Sequence, residues 1–280
     1  MSRRKFLLGT GATAAGFALY SGEIARHEID VVQRPITIRN LPDPFHGYRI
    51  VQISDIHFEE FTEAFFLKRI IRHINTLAPD LVLLTGDFVT MGAVNFFSGS
   101  HAAYHCAELL SAIACPLRYA ILGNHDIAVG APIVTDALQA QGIPVLINRH
   151  VPIERKGSRL WLCGLEDPGT SSPDLNLTVP EQPDGPVILL SHEPDYADKV
   201  VIHPRAPLVD LMLSGHSHGG QIRLPFMRPL VLPPMGTKYF EGLYRFNNMQ
   251  LYTNRGVGTV GVPFRLNCPP EITVLTLNPA

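Results

Sequence analysis

With 280 residues, 46% of them hydrophobic and 17% charged, the chain has neither the polar skew of a disordered segment nor the repetitive bias of a coiled coil or collagen-like fibre. Its length suffices to bury a substantial core, as one large domain or two small ones. Twenty-three Lys and Arg against 25 Asp and Glu give a formal net charge of -2. No broad basic surface is available for long nucleic acid, so any phosphate must be held locally by a site. Cys106, Cys115, Cys163 and Cys268 are widely spaced and never form a CxxC pair, which argues against a zinc ribbon or a dense disulfide scaffold. They read as buried thiols, with one or two disulfides open to a protein that leaves the cytosol.

At the N-terminus, Arg3-Arg4-Lys5 precedes a run from Phe6 to Tyr20 that carries no charge and is rich in Gly, Ala and Thr. This resembles a twin-arginine export signal. Fifteen residues fall short of the ~20 that cross a bilayer as a helix, so a transmembrane anchor is the second reading. No clean Ala-x-Ala cleavage site follows, and retention as an uncleaved tether fits the pattern. Residues 1–30 are accordingly assigned to a signal or membrane tether, and localisation to the cell envelope or periplasm follows. The first 22 residues hold three cations and no anion, which leaves 20 Lys and Arg against 25 Asp and Glu in an acidic remainder.

From about Tyr48, short apolar runs alternate with helical patterns, the signature of β-α-β units. Arg49 to Ile53 reads as a strand. Phe66, Leu67, Ile70, Ile71, Ile74 and Leu77 recur at helical spacing until Pro79, and Leu81 to Leu84 is a second buried strand. Ala102 to Ala114 is a predicted helix that Pro116 ends, and Leu117 to Leu122 is a third strand. Five further apolar runs follow: Leu160–Leu162, Val187–Leu190, Leu208–Leu213, Met249–Tyr252 and Ile272–Leu275. That many strands exceeds one sheet. The predicted class is α/β, a four-layer α-β-β-α sandwich of two packed sheets with helices outside.

Five strands end in metal-competent side chains: Ser54-Asp55-Ile56-His57, Thr85-Gly86-Asp87, Gly123-Asn124-His125-Asp126, Ser191-His192-Glu193 and Ser214-Gly215-His216-Ser217-His218. In open α/β sheets, ligands bind outside the carboxyl ends of strands, so clusters spread over more than 160 residues converge on one place. Asp55, His57, Asp87, Asn124, His192, His216 and His218 supply oxygen and nitrogen donors without thiolate, which suits Mn, Fe, Zn or Mg rather than a closed structural zinc. Seven ligands exceed the needs of one ion and suit two if a carboxylate bridges. Gly86, Gly123 and Gly215 are expected to allow the sharp turns that swing these side chains over the sheet edge.

The series Asp-x-His, Gly-Asp, Gly-Asn-His-Asp, Ser-His and Gly-His-x-His resembles the calcineurin-like metallophosphoesterase superfamily. The sequences Gly215 to Gln221 and Asn254-Arg255-Gly256 look like its bacterial branch of exported phosphoesterases and UDP-2,3-diacylglucosamine hydrolases. The resemblance implies a metallophosphoesterase domain over residues 31–280 holding two divalent ions. Asp55, His57, Asp87 and His218 would hold one, Asp87, Asn124, His192 and His216 the other, with Asp87 as bridge. Two adjacent divalent ions would offset phosphoryl charge and generate a hydroxide nucleophile. His125, the histidine of these motifs left without a metal, would protonate the leaving-group oxygen. Asp126 either orients the His125 ring or caps the following helix.

Arg255 either meets a substrate phosphate bidentately or stabilises its loop. The apolar, proline-stiffened stretch from Leu224 to Met235 follows the last metal motif and either lines a groove for acyl chains, docks on a bilayer, or covers the core. Phe61, Phe65, Phe66, Phe96 and Phe97 are further candidates for that rim. The expected protein is a monomeric phosphoester hydrolase acting on a lipid-linked or cell-envelope phosphodiester or diphosphate. Against it stand an exported metal-binding or envelope-binding protein without catalysis, and a phosphodiesterase of soluble nucleotides.

Overall fold

The computed structural model describes residues 10–11, 15–90 and 99–280. The arginine pair and Phe96-Phe97 lie outside the described residues. Within them no helix is long and apolar enough to cross a membrane. The strands are β1 (Asp30–Ile38), β2 (Arg49–Ile53), β3 (Leu81–Thr85), β4 (Arg118–Ile121), β5 (Arg149–Arg155), β6 (Ser158–Gly164), β7 (Val187–Leu190), β8 (Leu211–Ser214), β9 (Gly242–Arg245), β10 (Gln250–Thr253) and β11 (Glu271–Pro279). The longer helices are α1 (Ala64–Leu77), α2 (Gly99–Leu110) and α3 (Asn124–Ala140).

Two sheets form, in the orders β1-β11-β2-β3-β4 and β5-β6-β7-β8-β10-β9. The central pairs β2·β3, β3·β4, β6·β7, β7·β8 and β8·β10 are parallel, so the carboxyl ends of β2, β3 and β4 share one edge of their sheet and those of β7, β8 and β10 one edge of the other. The period of two sorts each strand between layers. Leu81 and Leu83 of β3 face the second sheet together with Ile50, Ile121, Leu162, Ile188, Leu190, Leu211 and Leu213. Val82 and Leu84 turn outward against Phe66, Ile70 and Ile74 of α1 and Ala103, Cys106 and Leu110 of α2. Each such Val, Leu, Ile or Phe side chain removed from water contributes about 1.5–3 kcal/mol.

The two outer layers differ. Sheet one is covered by α1, α2 and α3, whereas sheet two is covered by helices of one turn, Leu175–Thr178 and Ala197–Val200, with loop residues such as Val179 and Val209. The four predicted layers are present, and the fourth is thin. Three strands escape the apolar-run reading: β1, β5 and β9. β1 contains Pro35, which breaks the pattern and suits only an edge strand, and β1 is the edge of its sheet. The four cysteines are free and buried.

The segment before β1 packs on the domain. Ser21, Gly22 and Ala25 are buried, and Ser21 O accepts a hydrogen bond from Arg265 N at 3.1 Å. Arg26 bridges to Glu63 at 2.5 Å and donates to Phe61 O at 2.6 Å. The His27 ring stands edge-on to Phe66 at 4.9 Å.

Candidate metal centre

The turns after β2, β3 and β8 use backbone that side chains rarely adopt. Asp55 (φ 53°), His57 (47°), Asp87 (57°), His216 (70°) and His218 (50°) are all left-handed. Each costs of order 1–3 kcal/mol and persists only where the surroundings impose it. The imposition is visible in hydrogen bonds: Asp55 N and Ile56 N donate to Gly86 O and Asp87 O, and Gly258 N donates to Asp55 O. Of the glycines, Gly86 does turn (φ 94°). Gly123 instead is extended, at φ −110° and ψ −179°, and is required for closeness: a Cβ there would lie 2.7 Å from His192 Nε2 and closer still to the Asp87 carboxylate.

Two groups of donors result. Asp55, His57 and His218 bring one atom each within 4.8 Å of one another, and so do Asp87, His192 and His216. His57 Nε2 and His218 Nε2 face each other at 3.0 Å. Asp87 Oδ2 sits between the groups, 3.6 Å from His57 Nε2 and 3.1 Å from His192 Nε2. The far sides of the rings are held: His57 Nδ1 by Thr90 Oγ1 at 2.5 Å, His192 Nδ1 by Thr85 O at 2.7 Å, and His216 Nε2 by Pro234 O at 2.8 Å. Such outer contacts orient metal ligands and fix the nitrogen they present.

The donor set fits divalent ions. Asn124 Oδ1 is buried without a hydrogen-bond partner, an arrangement that costs free energy unless something else fills its valence. Burial pushes His57 down to about 3 and His216 down to about 4, which keeps both imidazoles neutral with a free lone pair. Burial raises Asp55 to about 6. Asp87 stays well below the usual carboxylate range, because the charge and hydrogen bond of His192 outweigh the cost of burial.

His125 is half-buried, stands edge-on to His57 at 4.9 Å, and brings a ring nitrogen within 4.8 Å of donors on His57 and Asp87. Asp126 is not turned to that ring. Its two oxygens accept from Asp87 N and Phe88 N at 2.8 Å each, Gly123 N at 3.0 Å and Val89 N at 3.3 Å. Of its two sequence readings the structure has the helix cap, extended into a clamp that ties the start of α3 to the Asp87 turn. Arg255 also departs from the phosphate reading. Its Nε is paired with Glu271 at 2.5 Å and its Nη2 with Asp30 at 2.7 Å, so two of the three guanidinium nitrogens are taken by carboxylates that fix the loop.

Arg265, a lone cation among apolar residues, carries no signal in one dimension. It is fully buried, and its guanidinium donates to the carbonyls of Gly258, Cys268, Arg255 and Gly256 at 2.6–3.1 Å. It thereby braces the loop that abuts Asp55, and one of its nitrogens lies 3.5 Å from His218 Nδ1. Thr90, which fixes the His57 ring, is a second residue without a sequence signal.

Two sheets delivering an oxygen- and nitrogen-rich cluster to one edge define a dinuclear metal hydrolase. Residues 48–220 match the family model for calcineurin-like phosphoesterases, and the chain belongs to that family. It is 36% identical to the metallophosphoesterase YkuE of Bacillus subtilis, covering 99% of this chain and 98% of that one. It is 31% identical to the phosphodiesterase YaeI of Escherichia coli, covering 99% of each. It is 30% identical to the UDP-2,3-diacylglucosamine pyrophosphatase LpxG of Chlamydia trachomatis, covering 84% of this chain and 86% of that one. The protein is therefore a hydrolase of phosphoric ester or diphosphate bonds with a centre of two divalent ions.

Proposed function

We propose that the protein cleaves a phosphodiester or diphosphate bond in a lipid-linked substrate at the cell envelope. The observation that carries this reading is the loop after His218. Phe226, Met227, Leu230 and Val231 are all more than half exposed, although burying each would gain about 1.5–3 kcal/mol. The loop is tied back beside the centre: Pro229 in its middle packs against Gly220, and Pro234 O near its end holds the His216 ring. An apolar protrusion beside a phosphoryl site suits an acyl-bearing substrate or the bilayer that contains it. The names of two relatives, a phosphodiesterase and a UDP-2,3-diacylglucosamine pyrophosphatase, support the same chemistry.

Asp55, His57, Asp87 and His218 would hold one ion, and Asp87, Asn124, His192 and His216 the other. When bound, such ions supply Lewis acidity and a low-pKa water. The chain's own groups do the rest. His125 gives a proton to the leaving-group oxygen, a contribution of ~10²–10⁴-fold where general acid help is needed. The Asp126 clamp and the Arg265 brace hold the ligand turns in their left-handed geometry, and Thr90, Thr85 and Pro234 fix the rings.

The N-terminal run belongs to the same reading as an export signal retained as a tether, since a single short apolar anchor is marginal and the loop adds a second contact. The test is a hydrolysis screen of the Mn-loaded protein on bis-p-nitrophenyl phosphate, nucleotide diphosphate sugars with and without acyl chains, and phospholipids. Preference for acylated substrates is expected. Equal or better turnover of soluble nucleotides would replace the reading with a nucleotide phosphodiesterase. Deleting residues 1–19, which stops short of buried Ser21, is expected to release the protein from membranes. A full-length protein found wholly in the soluble fraction would remove the membrane argument.

A further inference from the structure

Residues 21–30, which lead from the apolar N-terminal run into β1, touch three loops that carry or border Asp55, His57 and His218. The first contact is with the loop before β11. Ser21 O accepts from Arg265 N at 3.1 Å, and the segment passes so close to Phe264 that a Cβ at Gly22 would lie 2.9 Å from its ring. The Arg265 side chain holds the carbonyls of Arg255, Gly256 and Gly258 and comes within 3.5 Å of His218 Nδ1. The second contact is with the turn that follows His57. Arg26, 11% exposed on its side chain, pairs with Glu63 at 2.5 Å and donates to Phe61 O at 2.6 Å. Glu60 N closes that turn onto His57 O at 3.3 Å, and Gly261 N donates to Glu60 Oε1 at 3.1 Å, which joins the first loop to the second. The third contact is Asp30, whose carboxylate pairs with Arg255 Nη2 at 2.7 Å. Beyond Arg255, a Cβ at Gly256 would lie 2.7 Å from the Cβ of Asp55, and Val257 N and Gly258 N donate to Ser54 O and Asp55 O.

We propose that residues 21–30 are a positioning strap for the metal centre, in which Arg26 and Asp30 set the affinity for the ion of Asp55, His57 and His218. The reason is thermodynamic. Ordering a backbone costs roughly 1–2 kcal/mol per residue, and this segment recovers the cost through loops that must themselves be ordered to present their ligands. Docking of the strap and binding of the ion favour the same loop geometry, so each strengthens the other to the same degree. The loops need the help, because Asp55, His57 and His218 are held in left-handed backbone that persists only where neighbours impose it. The contacts converge on this donor group, so the strap acts on its ion more than on the ion of Asp87, His192 and His216. The inference is independent of the natural substrate.

The test uses the full chain and its variants well below their unfolding temperature, with Mn²⁺ affinity read by competition against a chromophoric chelator. Arg26→Ala is expected to weaken one of the two Mn²⁺ by about tenfold, the lower end of what contacts behind metal ligands contribute, and to leave the other near its wild-type value. Arg26→Lys, which keeps the charge, is expected to recover part of the loss. Hydrolysis of bis-p-nitrophenyl phosphate by Arg26→Ala should fall at limiting Mn²⁺ and return in excess Mn²⁺, with KM unchanged. Asp30→Asn, at a position 45% exposed on its side chain and so removable without harm to the fold, should show the same pattern at smaller size, and it decides the matter if Arg26→Ala does not fold. In the reverse direction, Mn²⁺ should slow tryptic cleavage after Arg26 in the wild type. Deleting residues 1–19 spares the strap and should leave both affinities as they are. Variants that fold and hold both ions as tightly as the wild type would overturn the proposal. So would equal weakening of both ions, or tryptic cleavage after Arg26 at the same rate with and without Mn²⁺.

Discussion

Two loops leave the centre in opposite conditions. The turn from Asp55 to His57 is buried, left-handed at two residues, and bonded to its neighbours through Gly86, Asp87 and Gly258. The loop from Leu224 to Val231 is exposed, and its apolar side chains have no cover. The first tolerates strain because other elements overdetermine it, which is how ligand atoms are held in place before an ion arrives. The second exposes apolar surface that the folded core does not need. Rigidity is concentrated where charge must be positioned, and the apolar surface lies exposed on the neighbouring loop.

Substitutions can separate these two conditions. The largest effect is expected for Asp87→Asn, which removes charge from the oxygen between the two donor groups. Both metal occupancy and rate should fall by more than the ~10–100-fold that outer-contact changes cost. Metal analysis finding two tightly held ions in an active variant would contradict the bridging position. His125→Ala should lower the rate ~10²–10⁴-fold with metal content unchanged. The loss should shrink on p-nitrophenyl esters, whose leaving group needs little protonation, and a variant that instead loses metal would reassign His125 as a ligand.

Arg265→Met tests the brace. It leaves several buried carbonyls without donors, at about 1–3 kcal/mol for each group that stays unsatisfied. A clear drop in thermal midpoint, together with weaker metal retention, is expected by denaturation and metal analysis. An unchanged midpoint would show that the loop beside Asp55 stands by its own bonds. The smallest stability effect belongs to the other loop: replacing Phe226, Met227 and Leu230 with Ser should change stability by no more than about 0.5 kcal/mol, as for surface positions generally. Turnover of acylated substrates should fall while a small soluble diester is hydrolysed as before. Equal losses on both would mean that the loop shapes the centre itself.

The convergence of Asp55, His57, Asp87, His192, His216 and His218 was legible because each follows an apolar run that declares a strand, and because parallel strands must end on one edge. The roles of Asp126 and Arg255 were not, since a carboxylate that accepts four amides and a guanidinium between two carboxylates look, in one dimension, like any charged residue after a turn. Arg265 was hidden for the opposite reason: its partners are carbonyls, which every residue has. β1 escaped because Pro35 interrupts its alternation, and β5 and β9 because edge strands face solvent and carry mixed side chains.

The place of β11 has a consequence for the order in which the molecule can assemble. β11 lies between β1 and β2, parallel to β1 along all nine residues from Asp30↔Glu271 to Ile38↔Pro279 and antiparallel to β2. During synthesis β1 therefore has no strand partner until β11 has left the ribosome. Closure of the first sheet is a late, long-range event of the slow kind. Until β11 arrives, the contacts of the preceding segment, Arg26 with Glu63 and His27 with Phe66, are what can hold β1 near the domain.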